Sequence, residues 1–523
     1  MNTHQLIAPE QYNIVNEFEQ YAHDAQKIAL VIKEENGQIA RIRYAELLNK
    51  ANQVANVLKK SGLRKGDVAL VMLPRSLEAY VTYIAALKAG LTIIPSSELL
   101  RAKDIDYRIT HAEVKAVVTA AAYTAEFEHT EHLQGIKLFV TDEATGKWTP
   151  IMQLAEGESA QFTGEQTKSD DIAFLAYTSG TTGNPKAAIH SHGWGYAHLR
   201  TTASEWLGVQ EGDVVWATAA PGWQKWIWSP FLAVLGSGAT GFVYKGKFDP
   251  KEYLNILASE GVQVLCCTPT EYRMLAKTEN LADYKLPNLR SAVSAGEPLN
   301  REVIDIFKRL FNVQVRDGYG QTENTLLVGT LLGLEPRAGS MGKPTPGNLV
   351  DIINDLGEPV GVGEVGDIAV HKSTPALFKG YYKDAERTAV QYRGEWYITG
   401  DRATKDEDGY FWFEGRGDDI IVSSGYTIGP FEVEDALVKH PIVRECAVVA
   451  SPDEVRGSVV KAYIVLQDGV EPSQELMKQL QNHVKELTAP YKYPRIIEFI
   501  DELPKTISGK IRRVELRTQH EHV

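Results

Sequence analysis

Apolar runs alternate with amphipathic stretches through the first part of the chain. Val68–Leu73 is apolar throughout, as expected for a strand that is buried on both faces. Apolar residues recur at helical spacing over Leu77–Leu87, which predicts a helix that Gly90 ends. Leu91–Ile94 predicts the next strand, bounded by Pro95. Together these segments predict a β-α-β unit with parallel strands.

The same pattern recurs farther along the chain. Val262–Cys267 predicts a strand, Val303–Phe311 predicts a helix with one apolar face, and Val313–Val315 predicts a further strand. Repeated units of this kind indicate layered α/β architecture with mainly parallel sheets.

The character of the sequence changes after Gly329. Residues 331–401 are rich in Gly and Pro with short alternating runs, which predicts a small β-barrel or meander. A compact α+β stretch follows, with strands expected at Val443–Ala450, Val459–Leu466 and Ile496–Ile500 and a helix over 476–487. We therefore expect an α/β fold: a large N-terminal domain (1–417) of layered α/β subdomains with a small β-barrel, and a small, mobile α+β C-terminal domain (418–523).

Composition narrows the class of protein. The 523 residues carry 55 Lys and Arg against 68 Asp and Glu, a net charge of −13, which disfavours nucleic acid as a partner. The N-terminus has no basic segment followed by an apolar run, so no signal peptide is expected. Glycines interrupt the apolar stretch Phe231–Tyr244, so no membrane span is expected. Cys266, Cys267 and Cys446 form neither a disulfide nor a zinc pattern, which favours a cytoplasmic location.

The segment YTSGTTGNPK, Tyr177–Lys186, follows the apolar run Ile172–Ala176. Backbone N–H groups and hydroxyls of such a loop can surround phosphate oxygens, and a lysine adds positive charge. An exposed linker is the alternative, but the position directly after a buried strand favours phosphate binding. The candidate phosphate ligands are Thr178, Ser179, Gly180, Thr181, Thr182, Gly183 and Lys186.

Two other patterns have the form of binding motifs but lack the required context. Gly361–Gly366 fits GxGxxG, yet the alternating run Asp367–His371 that follows predicts a strand rather than a helix, so a dinucleotide site is rejected. His190 and His192 are two residues apart with no nearby third ligand, so a metal site is not expected there.

The phosphate-loop segment resembles that of the adenylate-forming superfamily, which includes acyl-CoA synthetases, peptide-synthetase adenylation domains and firefly luciferase. Further motifs follow in the order found in that family: SAGEPL (Ser294–Leu299), DGYGQTE (Asp317–Glu323), YITGD (Tyr397–Asp401), GRGDDIIVSSGYTIGPFEVE (Gly415–Glu434) and LPKTISGK (Leu503–Lys510). The stretches SSGYTIGPFEVE, TAPYKYPR and LPKTISGKIRR are most similar to the medium-chain acyl-CoA synthetase branch.

This resemblance implies a ligase that activates a short-branched or medium-chain fatty acid as acyl-AMP and then forms acyl-CoA, releasing AMP and pyrophosphate. ATP, Mg²⁺ and coenzyme A would be the cofactors and co-substrates. One alternative is an adenylate-forming enzyme for an aryl or amino acid with another thiol acceptor. Another is a non-catalytic AMP-binding module, against which the presence of Lys510 and Glu323 argues.

The resemblance also assigns catalytic roles. Two anions meet during adenylation, so positive charge must lie between them; Lys510 would bridge the acid and the α-phosphate. Thr322 would bind the α-phosphate and Glu323 the Mg²⁺ ion. Asp401 would accept both ribose hydroxyls, and Arg416 would contact the ribose.

The remaining nucleotide contacts and the acid pocket follow from the same motifs. The adenine slot would comprise Gly296, Glu297, Pro298, Asp317, Gly318 and Tyr319, with Gly320 and Gln321 completing the nucleotide site. Acetate-specific relatives carry tryptophan at the position of Gly320, so a longer pocket is expected here. Trp223 would form part of its wall; Trp226 and Trp228 lie close by in the sequence.

Thioester formation would involve rotation of the C-terminal domain about Asp418. The CoA tunnel would be lined by Ser424, Gly425 and Tyr426, and CoA contacts would come from Arg456, Lys485, Tyr493 and Arg495. Thr427 stands where many relatives have an arginine that contacts the nucleotide. Acylation of Lys510 would erase its charge, so a lysine acyltransferase is an expected partner.

Overall fold

The computed structural model describes residues 2–178, 185–296, 299, 301–337, 339–417, 419, 421–423, 426–453, 456–488, 490–505 and 511–518. The first strands are β1 (Ile28–Lys33), β2 (Ile39–Arg43), β3 (Val68–Met72), β4 (Thr92–Pro95), β5 (Ala116–Thr119), β6 (Lys137–Val140), β7 (Thr149–Pro150), β8 (Ile172–Thr178), β9 (Lys186–Ser191), β10 (Val214–Ala217), β11 (Thr240–Tyr244), β12 (Val264–Cys266), β13 (Ser291–Ala295) and β14 (Val315–Gly320). The later strands are β15 (Leu326–Gly329), β16 (Ser340–Pro344), β17 (Val350–Ile353), β18 (Gly366–His371), β19 (Tyr392–Arg393), β20 (Trp396–Lys405), β21 (Phe411–Arg416), β22 (Ile421–Ser423), β23 (Tyr426–Ile428), β24 (Val443–Asp453), β25 (Gly457–Leu466) and β26 (Ile496–Phe499).

The α-helices are α1 (Asn16–Glu19), α2 (Tyr44–Lys60), α3 (Leu77–Lys88), α4 (Ala102–His111), α5 (Thr124–Glu128), α6 (Ile151–Glu156), α7 (His192–Thr202), α8 (Gln224–Trp226), α9 (Pro250–Ser259), α10 (Pro269–Ala276), α11 (Arg301–Phe311), α12 (Ala385–Ala389), α13 (Pro430–Val438), α14 (Gln474–Leu487) and α15 (Arg513–Thr518). Two π-helical segments, Ala203–Leu207 and Ile227–Ala233, continue α7 and α8. No helix among the described ranges is both long and apolar enough to cross a membrane.

The first large sheet has the strand order β7-β6-β5-β3-β4-β8-β9. Its strands are parallel except β9, which returns antiparallel to β8. The β-α-β unit predicted from the apolar runs is confirmed as β3, α3 and β4. The residues of β3 are all buried, which explains the unbroken apolar run.

The second large sheet runs β17-β18-β20-β21-β16-β15-β14-β13-β12-β10-β11-β1-β2, with β19 paired to β20. Its central strands β10 to β14 are parallel neighbours. The strand predicted at Val313–Val315 was placed too early: β14 begins at Val315 and continues to Gly320. The cause is Asn312, whose φ of 56° ends the helix and leaves Val313 in the connection.

The β-rich segment predicted after Gly329 is confirmed. Strands β15 to β21 pair antiparallel and extend the second sheet. Gly366 opens strand β18, so the GxGxxG pattern precedes a strand, as its context predicted. This antiparallel region carries Asp401 on β20 opposite Arg416 on β21.

The C-terminal part combines the antiparallel pair β22–β23 with the sheet β24-β25-β26. Helices α13 and α14 pack on a core that includes Ile428, Val433, Leu480 and Val484. The predicted strand–strand–helix–strand order is confirmed, and the first two strands are longer than predicted.

Candidate functional site

The hairpin of β8 and β9 supplies the two ends of the phosphate-loop segment. Thr178 ends β8 and pairs in register with Lys186, which begins β9. Residues 179–184 lie outside the described part of the chain, so the predicted ligands Ser179, Gly180, Thr181, Thr182 and Gly183 lie there too. The Thr178 hydroxyl is buried and has no hydrogen-bond partner among the residues that the structure describes, so it could serve a ligand such as phosphate.

Glu323 ends a short chain of polar contacts that runs from Lys186 through Tyr381. Tyr381 Oη donates to Glu323 Oε1 over 2.7 Å, and Lys186 Nζ donates to Tyr381 Oη over 3.0 Å. Lys186 Nζ is 3.9 Å from Glu323 Oε1. Glu323 is 8% exposed, and its backbone carbonyl accepts from Phe378 N. Burial and the Glu323 carboxylate raise the pKa of Tyr381, so its hydroxyl stays protonated and can donate.

This arrangement fits a hard cation. The buried Glu323 carboxylate is an oxygen donor of the kind that Mg²⁺ prefers. Lys186 at the same place favours anionic phosphate. Glu323 and Lys186 belong to motifs that the sequence shows. Tyr381 does not, because its bridging role depends on a contact across 58 residues of sequence.

Asp401 is the second acidic centre of the site. Tyr319 Oη donates to Asp401 Oδ2 over 2.6 Å, and Gln321 Nε2 donates to the same oxygen over 2.7 Å. Arg416 Nε lies 4.0 Å from Asp401 Oδ1. Asp401 is 7% exposed. The structure therefore brings together four of the residues that the motifs predicted, from β14, the turn after it, β20 and β21.

The strand β14 positions the predicted adenine-slot residues. Asp317 Oδ1 accepts from Gly318 N over 2.8 Å, and burial raises the pKa of Asp317 to about 7. Trp206 Nε1 donates to the Asp317 carbonyl over 3.0 Å. Gly296 follows β13 with a φ of 112°; Glu297 and Pro298 lie outside the described residues.

Two buried histidines support the turn that follows β14. His190 Nε2 donates to the Thr322 carbonyl over 2.6 Å. His198 Nδ1 lies 2.6 Å from Thr325 Oγ1, and His198 Nε2 lies 3.1 Å from the Trp228 carbonyl. Burial lowers the pKa of each histidine to about 3, so both are neutral. Because the Trp228 carbonyl only accepts, His198 Nε2 carries the proton and Nδ1 accepts from Thr325.

His190 therefore supports the Asp317–Glu323 motif through a hydrogen bond from its neutral imidazole to the Thr322 carbonyl. From the sequence, His190 was examined only as a metal ligand and rejected, and His198 was not identified. The spacing of Trp194 and His198, four residues apart on α7, was the available signal: their rings stack at 5.1 Å, and Trp194 Nε1 donates to the Asn324 carbonyl over 2.9 Å.

Gly320 is closely packed against the main chain. A Cβ atom at this position would lie 2.0 Å from the Thr325 carbonyl oxygen and 2.8 Å from its carbon. The register of β14 and β15 shifts at this point. The missing side chain is thus required by backbone packing. Its effect on the length of the acid pocket stays a prediction.

The three tryptophans after Gly222 differ in their surroundings. Trp226 is buried in the core, with its ring centroid 4.8 Å from that of Tyr83 and 5.2 Å from that of Phe231. Trp228 is 6% exposed. Trp223 is half-buried at the N-cap of α8, the position of the three most compatible with a pocket wall.

Three of the predicted CoA contacts form one basic surface cluster. Tyr493 lies at its centre: Lys485 Nζ is 4.1 Å from the ring centroid, and Arg495 Nη1 donates to Tyr493 Oη over 2.8 Å. Arg456 lies in the β24–β25 turn, where its backbone N–H donates to Asp453. The side chain of Tyr426 and residues Asp418, Ser424, Gly425 and Lys510 lie outside what the structure describes.

The segment that contains Lys510 is bounded by defined contacts. Lys505 and Ile511 form an isolated β-bridge, and Arg512 N donates to the Pro504 carbonyl over 2.8 Å. After it, Arg513 forms two hydrogen bonds to Glu434 at 2.7 and 2.8 Å. Helix α15 is thereby joined to α13.

Comparison with known proteins identifies two family regions. The model of the AMP-binding enzyme family matches residues 18–382, and the model of the AMP-binding enzyme C-terminal domain matches residues 432–510. The chain is 59% identical over 518 residues to the uncharacterized acyl-CoA ligase YtcI of Bacillus subtilis, covering 99% of this chain and 98% of YtcI.

More distant relatives and one solved structure also carry the names of acyl-CoA synthetases or CoA ligases. Acyl-coenzyme A synthetase ACSM3, mitochondrial, of Rattus norvegicus is 41% identical, covering 92% of this chain and 85% of that protein. 4-Hydroxybutyrate–CoA ligase 1 of Metallosphaera sedula is 42% identical, with 95% and 88% covered. The crystal structure of the anthranilate CoA ligase AuaEII with anthranoyl-AMP is similar at a TM-score of 0.91 and 28% identity, with 98% of each chain covered.

Proposed function

Because the chain belongs to the AMP-binding enzyme family and is an acyl-CoA ligase, we propose that it activates a short-branched or medium-chain fatty acid. The acid would react with ATP to give acyl-AMP and pyrophosphate, and the acyl group would then pass to the thiol of coenzyme A. The observation that carries this proposal is that β14 and the turn after it supply residues to two acidic centres. Asp401 is held by Tyr319 and Gln321, and Glu323 by Tyr381.

The two centres divide the nucleotide between them. Asp401 presents a carboxylate whose Oδ2 atom is fixed by two donors, which suits a bidentate contact with ribose hydroxyls. Lys186 lies beside Glu323, and Thr178 pairs with Lys186 in register across the hairpin, which suits the phosphates. The four-residue sequence Tyr319–Thr322 joins these two parts, so ribose and phosphate would be bound by one rigid segment.

Mg²⁺ would be held by Glu323, and when bound it would offset charge on the phosphates. Tyr381 donates to one carboxylate oxygen and orients it. His190 donates to the Thr322 carbonyl, and this contact would help to orient Thr322 toward the α-phosphate. These contacts are preorganised, so little reorganisation is needed when charge develops during adenylation.

Lys510 would supply the charge between the carboxylate and the α-phosphate. Its segment is bounded by the Lys505–Ile511 bridge and followed by the Glu434–Arg513 ion pair. Rotation of residues 418–523 about Asp418 would then remove Lys510 and bring the Ser424–Tyr426 segment and the basic cluster around Tyr493 toward CoA.

The hinge is tested by substitution of Asp418. A proline at position 418 restricts φ, so Asp418→Pro should retain one half-reaction and lose the other, while Asp418→Ala should retain both. If Asp418→Pro turned over normally in both, the hinge would lie elsewhere.

The acid is tested with a panel. Pyrophosphate release is measured with straight and branched aliphatic acids of two to ten carbons, and with benzoate and anthranilate, followed by thioester formation with CoA. The proposal expects the greatest kcat/KM for aliphatic acids of roughly four to ten carbons, since each buried methylene contributes about 0.8 kcal/mol. A preference for acetate or for an aryl acid would contradict it.

A further inference from the structure

The segment from Gln224 to Trp228 contains buried polar atoms that nothing in the described structure satisfies. Gln224 Oε1, Gln224 Nε2, Lys225 Nζ and Trp228 Nε1 are all buried and without a hydrogen-bond partner. An unpaired buried amide is unfavourable, and an unpaired buried ammonium more so. Four such atoms within five residues indicate a group that is supplied from outside the protein.

The surroundings of Lys225 are aromatic rather than acidic. Its Nζ atom lies 4.6 Å from the ring centroid of Trp206 and 5.7 Å from that of Trp228. Within the described part of the chain it forms no ion pair. Cation–π contacts offset part of the cost of burying the ammonium group, but they leave its three N–H donors without acceptors.

Two contacts place this segment directly against the nucleotide-binding strand. Trp206, under Lys225, donates to the carbonyl of Asp317 on β14. The Trp228 carbonyl accepts from His198, which in turn accepts from Thr325 in the turn that follows Glu323. The segment also begins next to Trp223, the expected wall of the acid pocket. The segment that carries the unpaired atoms therefore lies close to β14 and the turn after it, and adjoins the expected wall of the acid pocket.

We propose that Gln224, Lys225 and Trp228 form a polar end of the acid pocket that binds a hydroxyl group on the acyl chain. The inference rests on the proposed acyl-CoA ligase function and narrows the acid to a hydroxy acid. A hydroxyl oxygen accepts from Lys225 or Trp228, and its hydrogen is donated to Gln224 Oε1. One hydroxyl can serve Gln224 Oε1 and two of the three donor atoms. An alkyl chain leaves all four atoms unpaired, and a second carboxylate can serve only the donors and leaves Gln224 Oε1 without one.

The test compares matched pairs of acids of equal carbon number. Pyrophosphate release gives kcat/KM for butyrate and 4-hydroxybutyrate, pentanoate and 5-hydroxypentanoate, and hexanoate and 6-hydroxyhexanoate. Sites built to bind a hydroxyl discriminate strongly against analogues that lack it. In at least one pair, the hydroxy acid should be preferred by tenfold or more. The pair that shows the largest ratio gives the distance from the carboxylate to the polar end.

Substitutions then assign the preference to these side chains. Lys225→Met removes the ammonium while keeping an unbranched chain, and the hydroxy-to-alkyl ratio should fall to about one. Gln224→Met provides a second, uncharged replacement with the same expected direction. Lys251→Met, at an exposed position on α9, is the control and should keep the wild-type ratio.

Each outcome bears on one claim. A wild-type ratio at or below one in all pairs, or a ratio unaffected by both substitutions, overturns the hydroxy-acid assignment and indicates that ordered water satisfies these atoms. A preference for the corresponding dicarboxylic acids also overturns it. If no acid of either kind releases pyrophosphate, the proposed function itself fails, and the two failures are distinguished.

Discussion

Tyr381 Oη donates to Glu323 Oε1 over 2.7 Å and accepts from Lys186 Nζ over 3.0 Å. One phenol thus separates a carboxylate from an ammonium group whose charges would otherwise meet in a direct ion pair. Tyr381 holds Lys186 at 3.9 Å from the carboxylate oxygen. Under the proposed function, Glu323 would then be available to Mg²⁺ and Lys186 to a phosphate.

Removal of this hydroxyl should impair adenylation more than nucleotide binding. In Tyr381→Phe, Lys186 can approach Glu323 directly and compete with the metal. We expect the Mg²⁺ concentration for half-maximal pyrophosphate release to rise several-fold and kcat to fall about tenfold or more. The adjacent Tyr382→Phe is the control. Equal, small effects of the two substitutions would remove Tyr381 from the site.

Asp401 should determine affinity for ATP. Asp401→Asn keeps the shape of the side chain but replaces one acceptor oxygen with a donor, which conflicts with Tyr319 or Gln321, and it removes the charge. We expect the KM for ATP to rise at least about tenfold, since a charge-assisted contact is lost. Asp351→Asn, which removes a partly exposed partner of Lys405, should leave that KM unchanged. An unaltered KM in Asp401→Asn would contradict the ribose assignment.

Gly320 should be intolerant of any side chain. A Cβ atom would approach the Thr325 carbonyl oxygen to 2.0 Å, so β14 and β15 would have to separate. Gly320→Ala should lower the free energy of unfolding by about 1–3 kcal/mol, as overpacking commonly does. At Gly164 the nearest atom would be 3.5 Å away, so Gly164→Ala should change it by less than about 0.5 kcal/mol. Equal stability of the two variants would show that the backbone adjusts freely.

This result also changes how pocket length can be examined. The sequence suggested that tryptophan at position 320 would close the acid pocket. Because even a methyl group requires the main chain to move, a change in acid preference in Gly320→Trp would mix pocket closure with displacement of the nucleotide strand.

Acid should destabilise the protein through its buried histidines. Burial lowers the pKa of His190 and His198 to about 3 and that of His192 to about 4, against about 6.5 when unfolded. Their contribution is fully present above pH 6.5. It is lost as the pH falls toward 4 for His192 and toward 3 for His190 and His198. Asp317, with its pKa raised to about 7, acts in the opposite direction between pH 4 and 7. The stabilisation that one carboxyl group provides on acidification offsets only part of the destabilisation by three histidines.

The measurement is the free energy of unfolding in urea at pH 7 and pH 5. Each histidine should contribute a loss on the order of 2 kcal/mol between these values. His198→Gln should reduce the difference, because its side chain does not titrate. A wild-type stability that rises on acidification would show that Asp317 outweighs the histidines.

Much of the fold follows from local patterns, whereas parts of the site do not. The apolar run Val68–Met72 and the helix after it predict a β-α-β unit with parallel strands, because a strand buried on both faces needs apolar residues at consecutive positions. Glu323 and Asp401 were found because their motifs are continuous. Tyr381 and His198 were missed because their roles depend on contacts across 58 and 127 residues. From the sequence, the missing side chain of Gly320 predicted a longer acid pocket. The close approach of the Thr325 carbonyl, which explains the glycine by backbone packing, is visible only in three dimensions.

The central claim is tested most directly by separating the two half-reactions in Lys510→Ala. Acid-dependent exchange of pyrophosphate into ATP and conversion of supplied acyl-AMP to acyl-CoA are measured for the wild type, for Lys510→Ala and for Lys478→Ala, an exposed lysine on α14. The account predicts that Lys510→Ala loses exchange by at least about 10²-fold but still forms thioester, while Lys478→Ala does both. A wild type that forms no acyl-CoA from any acid, or an equal loss of both half-reactions in Lys510→Ala, would contradict it.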